Sequence, residues 1–142
     1  MLKAVLDTSI LVSAFLRQNG INAKILYQGK DFYHLYLSEE ILKETAQVLL
    51  TYDRIRKKYH YSDEEAVGYL ETLIHTATEV IERLPKIKVI KDDPKDNHVI
   101  ACGLKSKADY IVSKDEHLTD LKEYRGIKIV SSRDFLEILK KL

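Results

Sequence analysis

Short, mostly apolar runs alternate along this chain with longer stretches whose apolar residues recur every three or four positions, and this alternation restricts the possible folds more than any other feature. The runs "KAVL" (3–6), "YHLYLS" (33–38), "DYIVS" (109–113) and "IKIV" (127–130) carry the strand pattern. "EVIERL" (79–84) and "IKVI" (87–90) also read as extended. Between them, helical periodicity covers "TSILVSAFL" from residue 8, "INAKILYQGK" from 21, "EEILKETAQVLLTY" from 39, "DPKDNHVIACGLKSKA" from 93 and "SSRDFLEILKKL" from 131. The sharpest local signal is "SDEEAVGYLETLIHTA" (62–77). Ser62 and Glu65 have capping-box spacing there, and Ala66, Leu70, Leu73, Ile74 and Ala77 form one stripe. Strands that alternate with helices predict right-handed βαβ units and a mainly parallel sheet of about five strands, covered by helices on both faces.

A chain of 142 residues with 45% hydrophobic content suits one domain, spanning 1–142, with a substantial core. Its 23 Lys and Arg against 22 Asp and Glu leave a net charge of +1, so an anionic partner must be met by a local patch. The single cysteine, Cys102, rules out an intrachain disulfide framework and lies in an apolar helical stretch, as a small buried hydrophobe would. Lys3 and Asp7 interrupt the first apolar run, and no uncharged stretch of about 18 residues could span a bilayer. The expectation is a cytoplasmic protein.

In an open parallel sheet, ligands gather beyond the carboxyl ends of the strands. Asp7 ends the first strand, Asp115 follows a later one, and Asp96 opens the helix that precedes that later strand. Glu44 lies one turn after Glu40 on the helix following the second strand, and both could face the same edge. Each acid has a structural alternative. Asp7 could cap the first helix, Asp93 before Pro94 has cap-then-first-position spacing, Asp115 could cap a short turn at "EHLTDL", and Glu44 could be solvated. Taken together, however, carboxylates about 4 Å apart repel by about 4 kcal/mol at an effective dielectric of about 20, so a cluster must protonate or hold cations. All-oxygen ligation favours Mg²⁺ or Mn²⁺, and carboxylate-held Mg²⁺ acts mostly on phosphates. His34, His60, His75, His98 and His117 show no paired metal-ligand spacing, and this reading leaves His98 and His117 outside the ligand set although they adjoin the acids.

The ordered segments "VLDTS", "LSEEILKETAQVL", "DPKDNHVIACGLKSKADYIVSKDEHL" and "IKIVSSRDFLEIL" resemble the PIN-domain family, within it the branch of toxins from toxin-antitoxin modules. The resemblance spans nearly the whole chain. It implies a Rossmann-like three-layer α/β/α sandwich and a Mg²⁺- or Mn²⁺-dependent ribonuclease whose acidic site corresponds to Asp7, Glu44, Asp96 and Asp115. Supporting positions around them are Thr8, Ser9, Asn97 and Ser113, while Asp93 is an extra nearby acid whose role the family pattern does not assign. A homodimer and an antitoxin partner are further implications. RNA-maturation nucleases share these residues, and a non-catalytic PIN-like scaffold is a rival from another class.

Other folds with strand-end acids fit less well. Ser9 stands where a haloacid-dehalogenase-type phosphatase needs a second aspartate, a receiver domain would need an acidic pair, and no G-x-G-x-x-G follows a strand. For substrate, "TYDRIRKKYHY" (51–61) sets Arg54, Arg56, Lys57 and Lys58 among tyrosines that include Tyr59. Phosphate contact with base stacking is one reading of it, and a solvated helix end is the other.

Overall fold

The computed structural model describes residues 1–90 and 96–142. The expected Asp93 and Pro94 helix start lies outside the described residues. Among the described residues a six-stranded sheet forms the middle layer, in the order β3-β2-β1-β4-β6-β5. Its strands are β1 (Leu2–Leu6), β2 (Tyr33–Ser38), β3 (Glu79–Ile81), β4 (Tyr110–Val112), β5 (Glu123–Tyr124) and β6 (Ile127–Val130). All neighbours are parallel except β5 and β6. The helices are α1 (Thr8–Leu16), α2 (Ile21–Ala23), α3 (Glu39–Thr51), α4 (Asp53–Tyr59), α5 (Asp63–Thr76), α6 (Asn97–Ser106), α7 (Glu116–Thr119) and α8 (Ser132–Lys140). This is the α/β three-layer arrangement read from the alternation.

Strand β1 explains the layering. Ala4, Val5 and Leu6 are fully buried, as expected of a central parallel strand covered on both faces. From β1 the chain builds outward through β2 to β3, then crosses by α6 to the other side of β1 and continues through β4 to β6. The carboxyl ends of β1 and β4 therefore meet at a topological switch point, where such sheets open a crevice. Leu6 pairs with Val112, and Asp7 N–H donates to the Val112 carbonyl at 3.1 Å, so the two strands deliver residues 7 and 113 side by side.

Three local features depart from the sequence reading. The expected helix at 21–30 is α2 running into a π-helical turn (Lys24–Gln28) and then a 3₁₀ turn (Lys30–Phe32). "IKVI" joins no described strand because a side chain takes the place of a partner strand: Asn97 Oδ1 accepts from Val89 N–H at 2.9 Å and Ile90 N–H at 2.8 Å, and its Nδ2 donates to the Ile90 carbonyl at 3.3 Å. The short hairpin β5–β6 carries no strand pattern in its first arm. It turns on Arg125 and Gly126, both at positive φ (47° and 86°), the combination a tight two-residue hairpin requires. The capping box at Ser62 and Glu65 forms as its spacing predicts, and α5 is anchored by Tyr69, whose hydroxyl donates to the Leu11 carbonyl at 2.6 Å.

Candidate metal centre

Asp7 both caps a helix and faces the crevice. Its carboxylate accepts from Ile10 N–H at 3.2 Å, capping α1, and from the hydroxyls of Ser9 and Ser113. The side chain is almost wholly buried. Burial pushes its carboxyl above the usual range; the hydrogen bonds from Ser113, Ser9 and Ile10 oppose this, and the charge on Asp115 adds to it. The three donors offset part, but not all, of the cost that burial imposes on the ionised form.

Ser113 links this acid to the next. Its Oγ, buried at the end of β4, donates to Asp7 and accepts from Asp115 N–H at 2.9 Å. Asp115 in turn caps α7 through His117 N–H at 2.9 Å. That cap turns His117 back toward the acid, with Nδ1 3.8 Å from Asp115 Oδ1. Asp96, at the N-cap position of α6, joins them: one ligand atom each from Asp96, Asp115 and His117 lies within 4.8 Å of the others. Two carboxylates and an imidazole at that spacing can share one divalent cation.

Glu44 is half-buried on α3 and reaches the same region by a different route. Its Oε1 accepts from Thr8 Oγ1 at 2.9 Å and lies 3.0 Å from His98 Nε2. Consecutive residues at the start of α1 thus serve two acids: Asp7 is the acid itself, Thr8 holds Glu44, and Ser9 holds Asp7. Asn97 points the other way, into the backbone of residues 89 and 90, so its structural contribution is to fix the entry to α6.

The basic segment divides. Arg56 faces inward: its guanidinium donates to the carbonyls of Leu49 and Leu50 at 3.4 and 3.3 Å, pairs with Asp63 at 2.5 Å and stacks over Tyr61. It ties the end of α3 to α5, so this member of the four basic residues expected to meet RNA is engaged within the fold. Arg54 and Lys58, one turn apart on α4, line a cleft of about 270 Å³ with Tyr59, Arg17 and Lys114. A hydrogen bond from Arg17, with the charges of Arg17 and Lys58, holds the Tyr59 phenol below its usual range. Lys57 is exposed outside that cleft.

Sequence reasoning leaves out His117, Arg17 and Lys114. For His117 a signal exists in its two-residue offset from Asp115 across a capped turn. For Arg17 and Lys114 there is none, because they meet α4 only through the tertiary fold.

A family profile described as PIN domain matches residues 3–117. The chain is also similar to an uncharacterized protein of Methanocaldococcus jannaschii, 27% identical over 151 aligned positions that cover 99% of this chain and 93% of that protein.

Proposed function

Because this chain belongs to the PIN domain family, whose members are generally metal-dependent nucleases, we propose that it is a Mg²⁺- or Mn²⁺-dependent endoribonuclease that hydrolyses RNA phosphodiester bonds. The observation that carries this reading is the convergence of Asp96, Asp115 and His117 within 4.8 Å, joined through Ser113 to buried Asp7 at the sheet's switch point. Asp7, Asp96, Asp115, Glu44 and His117 would hold the cation. When bound, such a cation neutralises phosphate charge and makes a water more acidic. The chain's own groups do the positioning. Ser9 and Ser113 keep Asp7 aimed and ionisable, Thr8 and His98 orient Glu44, and the α7 turn presents Asp115 and His117 together. Hydrolysis adds water across one P–O bond: the water oxygen bonds to phosphorus, the leaving ribose oxygen takes up a proton, and the water's other proton goes to solvent or to a carboxylate.

We assign the exposed cations Arg54, Lys57 and Lys58, with Tyr59, to the RNA strand, acting through phosphate charge and base stacking. The toxin role rests on the resemblance of the motifs. A symmetric homodimer is supported by Val67 and Ile74, which are 43% and 49% exposed on one face of α5. Light scattering that finds only monomer at high micromolar concentration would remove the dimer.

The test is cleavage of a mixed RNA pool with Mg²⁺ or Mn²⁺, with the cut ends mapped. Native protein should cut internally, while Asp96→Asn and Asp115→Asn should lose cleavage and keep the fold. Undiminished cutting by Asp96→Asn, or none by native protein with either metal, overturns the assignment. For the toxin role, expression of native protein should arrest growth of a host cell and Asp96→Asn should not.

A further inference from the structure

A second and larger cleft, of about 530 Å³, lies beyond the ends of β4 and β6. Lys114, Lys122 and Arg133 supply its cations, and buried Asn22 and Ser132, whose hydroxyl donates to Asn22 Oδ1, contribute to its polar wall. Asp134 lines it as well and sets one negative charge against the three cations. Ser113, which holds Asp7 and Asp115, also lines it, so the cleft lies one hydrogen bond away from these two acids. Lys114 lines both this cleft and the one beneath Tyr59. Its backbone N–H is fixed by Ser9 Oγ at 3.2 Å and its ammonium by Ser13 Oγ at 3.0 Å, so a positive charge is fastened where the two clefts meet.

A chain with a net charge of only +1 has thus gathered Arg17, Arg54, Lys58, Lys114, Lys122 and Arg133 in two clefts that share Lys114, the residue between Ser113 and Asp115. The regular spacing of negative charge along a phosphodiester backbone matches such an arrangement, and Tyr59 at one end offers a ring to an unpaired base.

We propose that the two clefts form one track for a single-stranded nucleic acid, in which Lys122 and Arg133 take backbone phosphates on one side of Lys114, and Arg17, Arg54 and Lys58 take them on the other. This rests on the nuclease reading above and extends it to cations that reading does not use. The strand is held on both sides of Lys114, so affinity depends on length until both clefts are filled.

Fluorescence anisotropy with single-stranded RNA oligonucleotides of increasing length tests the track. Chelator should be present, so that neither metal nor cleavage contributes. Native protein should gain affinity with length until the strand spans both clefts. The double variant Lys122→Ala/Arg133→Ala should stop gaining at a shorter length, and its slope of log affinity against log salt should flatten by about 0.7 for each phosphate no longer neutralised. Lys122→Arg/Arg133→Lys should restore the slope. Lys24→Ala/Lys140→Ala removes the same charge from the groove at the far end of α8 and should behave as native. DNA of the same sequence should bind with a similar slope if the backbone is what is read. If Lys122→Ala/Arg133→Ala matches native protein in affinity, slope and length dependence, the track is wrong, whatever cleavage shows. If binding responds as stated but no RNA is cut with Mg²⁺ or Mn²⁺, the track stands and the nuclease assignment falls.

Discussion

At the residue scale, Asp7 is a costly side chain to bury. Its pKa lies above the unfolded value, so folding favours its protonated form, and the stability this group contributes is present in acid and lost as pH rises from about 4 through the folded-state pKa. In metal-free buffer, Asp7→Asn should therefore gain stability relative to native protein as pH goes from about 4 to neutrality, by urea denaturation at each pH. Saturating Mn²⁺ should close that gap, because the cation offsets the buried charge only in the native chain. Asn97 behaves differently: Asn97→Ala strips the partners from two backbone N–H groups and should cost about 1–3 kcal/mol, with no pH dependence. The contrast shows what a sequence can reveal. Asp7 is conspicuous because a charge ends an apolar run, so its place at the crevice can be read directly. Asn97 sits beside Asp96 and reads as part of the same site, yet its amide serves a segment seven residues upstream, a pairing that only the tertiary fold creates.

At the element scale, α6 lies hard against the sheet and α5 does not. A Cβ on Gly103 would stand 2.9 Å from Ile111 Cδ1 and 3.3 Å from Ile127 Cδ1, whereas one on Gly68 would meet nothing within 4 Å. Replacing a mid-helix glycine by alanine gains about 1 kcal/mol of helix propensity, but overpacking a core costs about 1–3 kcal/mol. Gly68→Ala should therefore stabilise by about 1 kcal/mol, while Gly103→Ala should destabilise, both measured by the urea midpoint at constant slope. The same close packing buries Cys102 on α6, where burial pushes its thiol up to about 12. Alkylation at pH 8 should track global unfolding. The capping box of α5 is legible in advance from its spacing, whereas its apolar stripe is legible only in part: Ala66 and Leu73 are buried as expected, but Ile74 is exposed and Tyr69 is buried instead. The turn from α2 into a π-helical segment and the β5–β6 hairpin are not legible. Their geometry depends on packing against α8 and on left-handed backbone at Arg125 and Gly126, which periodicity does not register.

At the scale of the whole molecule, near-neutral charge conceals separation: Asp96 and Asp115 come together at one place, and cations line two clefts that share Lys114. A ligand that binds only the folded state at about 100 times its Kd stabilises by about 2.7 kcal/mol. Mn²⁺ at that level should raise the melting temperature of native protein, and Asp115→Asn should abolish most of the shift; an equal shift in both would place the cation elsewhere. Finally, among the described residues the sheet ends at β3, three residues long, and at β5, two residues long. Borders so short offer little backbone for another chain to add to. The apolar stretch Ala4 to Leu6 is sealed in the middle of the sheet. Aggregation must therefore pass through unfolding, and its rate, followed by turbidity, should scale with the unfolded fraction rather than with the concentration of native protein.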